Sequence, residues 1–479
     1  LEHLARLESG IPGLDTILKG GLIAGASYIV QGRPGSGKTI LASQIAFNHA
    51  QTGGRVLFAT LLAESHERLF QFLSTLSFFD RERIGGEIQF VSAFDTLENE
   101  GLDEVVKLLR REISRQKASI LVLDGVLNAR SRAGNSIDTK KFIAELQGHA
   151  AFAGCTTLFL TSSRIDDSSP EHTMVDGVLE LNEDVIGTRS VRRIHLRKTR
   201  GSSAISGLHD FEITDHGIHV HPRLETIYGE TTDRAIPPGR LSTGIPEMDT
   251  MLGGGLPRSS ITLLIGPSGA GKTTLGLSFI ADSTPENPGL IFGFYETEPR
   301  LHLKAGALRI PLAAKTDSGA VQTLWQPTTE RNFDALGARL LEAIRNTGAT
   351  RVLIDSLGAF ARTSTNPARK IAFFTALTNE LRSLGVTVIA TWEIQEMFDA
   401  TAQGAPFELS SIFDNLLLIR LHEENFTLAR RFSILKVRDS HYDATSRTMI
   451  IDDQGVRLAG FPPAHAPSHT PEAPSASEN

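Results

Sequence analysis

The chain repeats itself, and that repeat constrains its fold more tightly than composition does. Gly10-Ile11-Pro12-Gly13-Leu14-Asp15 returns as Gly244-Ile245-Pro246-Glu247-Met248-Asp249, and Gly20-Gly21-Leu22 returns as Gly254-Gly255-Leu256. The run Gly32-Arg33-Pro34-Gly35-Ser36-Gly37-Lys38-Thr39 returns as Gly266-Pro267-Ser268-Gly269-Ala270-Gly271-Lys272-Thr273. All three pairs share one offset of 234 residues. Further on, Arg192-Arg193-Ile194 and Lys198-Thr199-Arg200 answer Arg430-Arg431-Phe432 and Lys436-Val437-Arg438 at an offset of 238. A period of that size is a whole domain, not a solenoid unit of roughly 20–50 residues. The chain is a tandem duplication of one fold.

Four segments follow from the repeat. Residues 1–228 form the first copy, 229–240 a linker, 241–460 the second copy and 461–479 a tail. The linker carries Gly229-Glu230-Thr231-Thr232-Asp233 and Pro237-Pro238-Gly239, a polar stretch rich in helix and strand breakers. The tail sets five prolines among small polar residues and cannot build a packed core, so disorder is expected there.

Composition excludes several classes. With 40% hydrophobic and 22% charged residues in 479, collagen-like, coiled-coil and wholly disordered chains are out. The net charge of −7 opposes a polyanionic partner, so nucleic acid is not the expected ligand. The single cysteine, Cys155, rules out an intrachain disulfide and fits a reducing compartment. It reads as a small buried core residue, with a catalytic nucleophile as the alternative. No apolar run approaches the ~20 residues of a membrane span. The opening Leu1-Glu2-His3-Leu4-Ala5-Arg6 has no basic-then-apolar leader. A cytoplasmic location is the expectation.

Within each copy, short apolar runs alternate with amphipathic ones. Ser27–Gln31 and Ile261–Ile265 precede the Gly-rich runs, and Leu41, Gln44, Ile45 and Asn48 follow the first at helical spacing. Val56–Ala59, Ile120–Leu123, Leu290–Phe292 and Val352–Ile354 are continuously apolar, as buried parallel strands are. Helices over 103–116 and 333–346 fall between them. The fold class is α/β, a mainly parallel sheet flanked by helices, built twice.

Both Gly-rich runs fit GxxxxGK[ST] between a strand and a helix. Glycine lets successive N–H groups wrap phosphate oxygens, and the helix N-terminus favours the anion. Gly32, Gly35, Ser36, Gly37, Lys38 and Thr39 therefore form one candidate ATP site, and Gly266, Gly269, Ala270, Gly271, Lys272 and Thr273 a second. Lys38 and Lys272 reach for the β- and γ-phosphates, and the Thr39 and Thr273 hydroxyls for Mg²⁺. Asp124 and Asp355 end apolar strands about 85 residues beyond these loops. They suit a second metal anchor, direct or through water; the alternative is a helix N-cap. Glu64 and Glu296 follow the next strand and are candidates to orient the attacking oxygen. Arg68-Leu69 and Arg300-Leu301, at an offset of 232, pair them in register. Either Glu alternatively opens the following helix.

These residues together resemble the KaiC circadian-clock ATPase family. Ser9-Gly10-Ile11-Pro12-Gly13-Leu14-Asp15, Thr243-Gly244-Ile245-Pro246-Glu247-Met248-Asp249, Val175-Asp176-Gly177-Val178 and Ile213-Thr214-Asp215-His216-Gly217-Ile218 carry the likeness, up to about residue 455. It implies two tandem RecA-like P-loop NTPase domains and a two-tiered hexamer with ATP between neighbouring subunits. It also implies that Lys198, Arg200, Lys436 and Arg438 reach the γ-phosphate held by the next subunit, in the manner of arginine fingers. On residues alone they equally read as alternating exposed charge on a strand. The family phosphorylates its second domain on adjacent hydroxyls, and Leu409-Ser410-Ser411-Ile412-Phe413-Asp414 matches that segment, with Ser410 and Ser411 at the pair. A loop or N-cap is the plain alternative.

The family's Glu-Glu pair is incomplete. Ala63-Glu64 and Tyr295-Glu296 keep one Glu each, and the first copy has two extra residues nearby. Turnover that is low, or divided differently between copies, is the expected consequence. The reading is an ATP- and Mg²⁺-dependent ATPase with serine autophosphorylation, serving as a circadian or signalling switch. The alternatives are a DNA-dependent ATPase of RecA type and an ATP-gated oligomeric scaffold.

Overall fold

The computed structural model describes residues 4–63, 66–125, 136–162, 173–229, 237–327, 332–394, 410–424, 426–438 and 440–460. Two compact units divide the chain, Leu1–Ile227 and Tyr228–Asn479. Most of the linker and all of the tail lie outside the described residues, as does Glu64.

The first unit contains β1 (Arg6–Leu7), β2 (Leu22–Ile23), β3 (Ser27–Gly32), β4 (Val56–Thr60), β5 (Ile88–Ser92) and β6 (Ile120–Asp124). It continues through β7 (Thr156–Thr161), β8 (Gly177–Ile186), β9 (Arg189–Thr199), β10 (Leu208–Thr214) and β11 (Gly217–His221). Strands β3 to β11 make one nine-stranded sheet in the order 5-4-6-7-3-8-9-10-11. Pairings from β5 through β8 are parallel, and those from β8 to β11 antiparallel.

The second unit reproduces this plan. It holds β12 (Arg240–Leu241), β13 (Leu256–Pro257), β14 (Ile261–Gly266), β15 (Gly289–Gly293), β16 (Val321–Trp325) and β17 (Arg351–Asp355). It ends with β18 (Thr387–Glu393), β19 (Asn415–Glu424), β20 (Thr427–Val437), β21 (Arg447–Asp452) and β22 (Gly455–Ala459). Its order, 16-15-17-18-14-19-20-21-22, is the first sheet's order advanced by eleven strands. The duplication therefore extends to topology, and the α/β, mainly parallel fold class holds in both copies.

Alternation on the central strands shows why these runs are apolar throughout. Val30 packs with Leu41, Phe47 and Phe58 on one face of the first sheet. Ile29, its neighbour, packs with Leu57, Val106, Leu146 and Phe159 on the other. Helices cover both faces, so neither parity of the strand meets water. Cys155 is fully buried in the second of these clusters, and burial pushes its thiol up to about 12. That is a core residue, far from a thiolate nucleophile.

Each unit also closes on itself through an arginine. Arg6 Nη1 donates to the carbonyls of Leu18 (2.9 Å) and Gly21 (3.0 Å), and Nη2 to Ser202 Oγ (3.0 Å). Arg240 does the same with Leu252, Gly255 and Ser440 Oγ, each at 2.8 Å.

Candidate functional site

Both Gly-rich runs stand at the C-terminal end of a central strand, where α/β sheets receive ligands. β3 ends at Gly32 and β14 at Gly266, and helices Lys38–Gln51 and Lys272–Ala281 begin at the lysines. Two backbone demands explain the glycines. Gly37 and Gly271 have φ of 100° and 101°, which L side chains avoid. At Gly32 a Cβ would lie 2.3 Å from the Leu181 carbonyl oxygen.

The lysines fold back over their own loops. Lys38 Nζ donates to the carbonyls of Gly32 (2.8 Å) and Arg33 (2.9 Å), and Lys272 Nζ to those of Gly266 (2.9 Å) and Pro267 (2.7 Å). Burial lowers the pKa of each; Asp124 opposes this for Lys38, and Glu393 and Asp355 for Lys272. A desolvated ammonium over a ring of N–H donors is suited to a polyphosphate. Ser36 Oγ is buried in the first loop with no hydrogen-bond partner among the described residues.

A hydroxyl and a carboxylate converge beside each lysine. Thr39 Oγ1 donates to Asp124 Oδ2 (3.2 Å), and Thr273 Oγ1 to Asp355 Oδ2 (2.7 Å). Thr391 Oγ1 donates to the other oxygen of Asp355. An oxygen-only set of this kind fits a hard divalent cation, with phosphate and water completing the shell. Among the described residues, no group of three or more His, Cys, Asp or Glu could hold a metal ion without such help. The N-cap alternative for Asp355 belongs to its neighbour: Ser356 Oγ accepts from Ala359 N (3.1 Å) and caps the next helix.

Glu296 lies before the helix Glu298–Ala307, whose N-cap is Thr297, so it does not open that helix. Its carboxylate accepts from Lys304 Nζ. Phe294 N donates to the Asp355 carbonyl (2.9 Å), which holds the Glu296 segment beside the end of β17. Glu393 ends β18 in register with Gly266, and the adjacent Ile394 N donates to the Gly266 carbonyl (3.2 Å). Sequence reasoning missed Glu393, Thr391 and Lys304. Only strand register and a helix-to-loop contact bring them in.

Lys198, Arg200, Lys436 and Arg438 sit at the opposite end of their sheets. Lys198 is opposite Val178 and Gly177 is opposite Tyr28, at the start of β3. Lys436 is opposite Leu416, and Asn415 opposite Thr262. Across the strands Lys198 is level with Ile29 and Lys436 with Leu263, about 10 Å of strand short of Gly32 and Gly266, and the arginines stand two residues further back, all beyond side-chain reach. None of the four touches its own copy's loop.

They grip another segment instead. Lys436 Nζ donates to the carbonyls of Phe413 (2.8 Å) and Ser410 (3.5 Å), Arg438 Nη2 to that of Ser411 (3.0 Å), and Arg382 Nη2 to that of Ile412 (2.6 Å). Asp414 anchors the cluster, accepting from Ile261 N (2.9 Å), Arg382 Nε (3.1 Å) and Arg438 Nη1 (3.1 Å). Burial lowers the pKa of Lys436, helped by Arg438 and opposed by Asp414. In the first copy Lys198 donates to Val175 (2.7 Å) and Thr173 (3.3 Å), Arg200 to Thr173 (2.7 Å), and Gln147 to Met174 (3.1 Å). Ser410 and Ser411 thus stand at the edge with the cations, away from their own Gly-rich loop.

A family profile described as "ATPase: KaiC" matches residues 7–225 and again 241–460. The chain belongs to the KaiC ATPase family. It is 24% identical over 475 residues to the circadian clock oscillator protein KaiC of Picosynechococcus sp., covering 96% of this chain and 90% of the relative. The KaiC of Synechococcus elongatus is 24% identical over 473 residues, with 95% and 89% covered. The circadian clock protein KaiC3 of Synechocystis sp. is 25% identical over 479 residues, with 95% and 92% covered. The tandem RecA-like reading of the fold holds, and the family is one of nucleotide-binding ATPases. Among the described residues no helix is long and apolar enough to cross a membrane.

Proposed function

We propose that this KaiC-family chain hydrolyses ATP in both copies with Mg²⁺, and transfers phosphate to Ser410 or Ser411 between neighbouring chains of a hexamer, as a timing or signalling switch. The observation that carries the intersubunit part is the separation just described. Each Gly-rich loop and the Lys-x-Arg pair of the same copy occupy opposite ends of one sheet. Phosphate on one chain's loop meets cations from that far edge only when the cations come from a neighbouring chain.

In this reading Lys38 and Lys272 hold the β- and γ-phosphates, and Glu64 and Glu296 orient the attacking oxygen in line with the leaving group. The Thr39–Asp124 and Thr273–Asp355 pairs would hold Mg²⁺, which supplies charge neutralisation at the transferring phosphoryl group. Lys198, Arg200, Lys436 and Arg438 stabilise that charge from the next chain. For hydrolysis the attacking oxygen is water and the products are ADP and inorganic phosphate. For autophosphorylation it is a serine hydroxyl, whose oxygen bonds to the γ-phosphorus as the bond to the β–γ bridging oxygen breaks, with ADP leaving and the hydroxyl proton passing to the Glu296 carboxylate.

Incubation with γ-labelled ATP and Mg²⁺ tests this. Label is expected on the protein, and the Ser410→Ala/Ser411→Ala double variant is expected to lose it while keeping ATP turnover. Label that never appears, or that survives both substitutions, refutes the kinase part.

A further inference from the structure

The ion pair at Glu296 draws its cation from a position where the first copy has no lysine. Lys304 lies on the second turn of helix Glu298–Ala307, between Leu301 and Ala305, which are buried in the core of that unit. Its backbone is therefore held in place, while its side chain is about one third exposed, at 35%. Nζ crosses back over the N-cap to Glu296 Oε1, a span of eight residues that leaves the helix. This is not an i,i+4 surface pair of the kind worth little on a helix.

At the offset of 232 that aligns Arg68 with Arg300, Lys304 falls opposite Phe72. Phe72 is 62% exposed, with the Arg68 guanidinium 5.7 Å from its ring centroid. An aromatic ring cannot fix a carboxylate as an ammonium does.

We infer that Lys304 is a positioning residue for the second copy's water-activating carboxylate, a role that Phe72 at the aligned position of the first copy cannot fill. A carboxylate side chain with no partner spends its time over many rotamers. A charge-assisted bond to one oxygen removes most of them and leaves Oε2 to accept a proton from the attacking water. The water oxygen bonds to the γ-phosphorus, the bond to the bridging oxygen breaks, and the proton passes to Oε2. Lys304 stays protonated throughout. This supplies, through a helix-borne cation, an ordering of Glu296 that a neighbouring Glu is not present to give.

The inference rests on the reading of Glu296 as the residue that orients water, and the test separates the two. In the full-length chain carrying Lys38→Ala, ATP turnover reports the second copy. Lys304→Met is expected to lower kcat about tenfold with KM for ATP within about twofold, and Lys304→Arg to recover most of the loss. In a Glu296→Gln background, Lys304→Met is expected to add nothing to the residual turnover. An unchanged kcat for Lys304→Met, an equal fractional loss in the Glu296→Gln background, or no recovery with Lys304→Arg overturns the inference. If Glu296→Gln itself leaves turnover intact, the reading of Glu296 fails and takes the inference with it. If Glu296→Gln abolishes turnover and Lys304→Met does not lower it, the inference alone falls.

Discussion

Asp414→Ala tests how firmly the cation-gripped segment is fixed to the sheet. Asp414 is 8% exposed and accepts from Ile261 N and from two guanidinium groups. Removing it leaves the Ile261 N–H buried without its acceptor, a cost of about 1–3 kcal/mol. Breaking a fully buried ion pair from one side costs about 3–5 kcal/mol more. Arg382 and Arg438 are only partly buried, at 27% and 45% side-chain exposure, so solvent takes back most of that term. The net expectation is about 3 kcal/mol. Asp414→Asn keeps a carbonyl acceptor for Ile261 N and loses the charge, and should cost about half as much. Both tryptophans of the chain, Trp325 and Trp392, lie in the second unit, so their fluorescence follows its unfolding in urea. With a denaturant slope near 3 kcal/mol per M, Asp414→Ala should lower the midpoint by about 1 M. A midpoint within about 0.3 M of the parent, or equal shifts for Ala and Asn, refutes the account of Asp414 as the segment's charged anchor.

Mixing a Lys272→Ala chain with an Arg438→Ala chain should restore turnover in the second copy that neither has alone. Each supplies the half-site the other lacks, and no recovery in mixed assemblies would count against action between chains. Thr273→Ala should raise the Mg²⁺ concentration for half-maximal turnover by about tenfold while leaving metal-free nucleotide binding unchanged, as isothermal titration can check. Phe360→Ala should destabilise the second unit by about 3–5 kcal/mol in the same urea assay, since Phe360 is fully buried and packs against Phe292, Phe333 and Phe374 at 5.7–5.8 Å. Cys155, with its folded-state pKa raised from 9.0 to about 12, contributes stability that is complete below pH 9 and lost as pH rises toward 12. Cys155→Ala should flatten that alkaline decline. A thiol reagent should label native protein only on unfolding, and rapid labelling at pH 8 would contradict its burial.

The phosphate loops were legible because their chemistry is local. Eight consecutive residues carry the backbone shape, the ammonium and the hydroxyl, and a strand before and a helix after complete the cradle. Asp124 and Asp355 were nearly as plain, since each ends a run of buried strand. Lys304 was harder, because its pairing with Glu296 depends on how a loop folds over a helix terminus. Asp414 was harder still: its partner Ile261 N is 153 residues away, across a parallel sheet whose strand order periodicity does not reveal. The same holds for the distance between Lys436 and its own loop. Spacing marked the residue, but only the position of β14 between β18 and β19 shows which end of the sheet it occupies. Where the repeat offset drifts from 234 to 232 and 238, the two copies differ in their turns while keeping identical strand orders. Insertions gather in connections because a sheet with both faces covered tolerates no slip in register.

The paired clamps of Arg6 and Arg240 mark the extent of the repeated unit. Each guanidinium joins the opening hairpin of a copy to a serine two residues beyond its Lys-x-Arg pair, across sequence separations of 196 and 200 residues. The first and last parts of the repeat are thus bound to each other within the same copy. The repeated unit is therefore bounded by its own latch: each copy carries within itself the contacts that fasten its start to its finish.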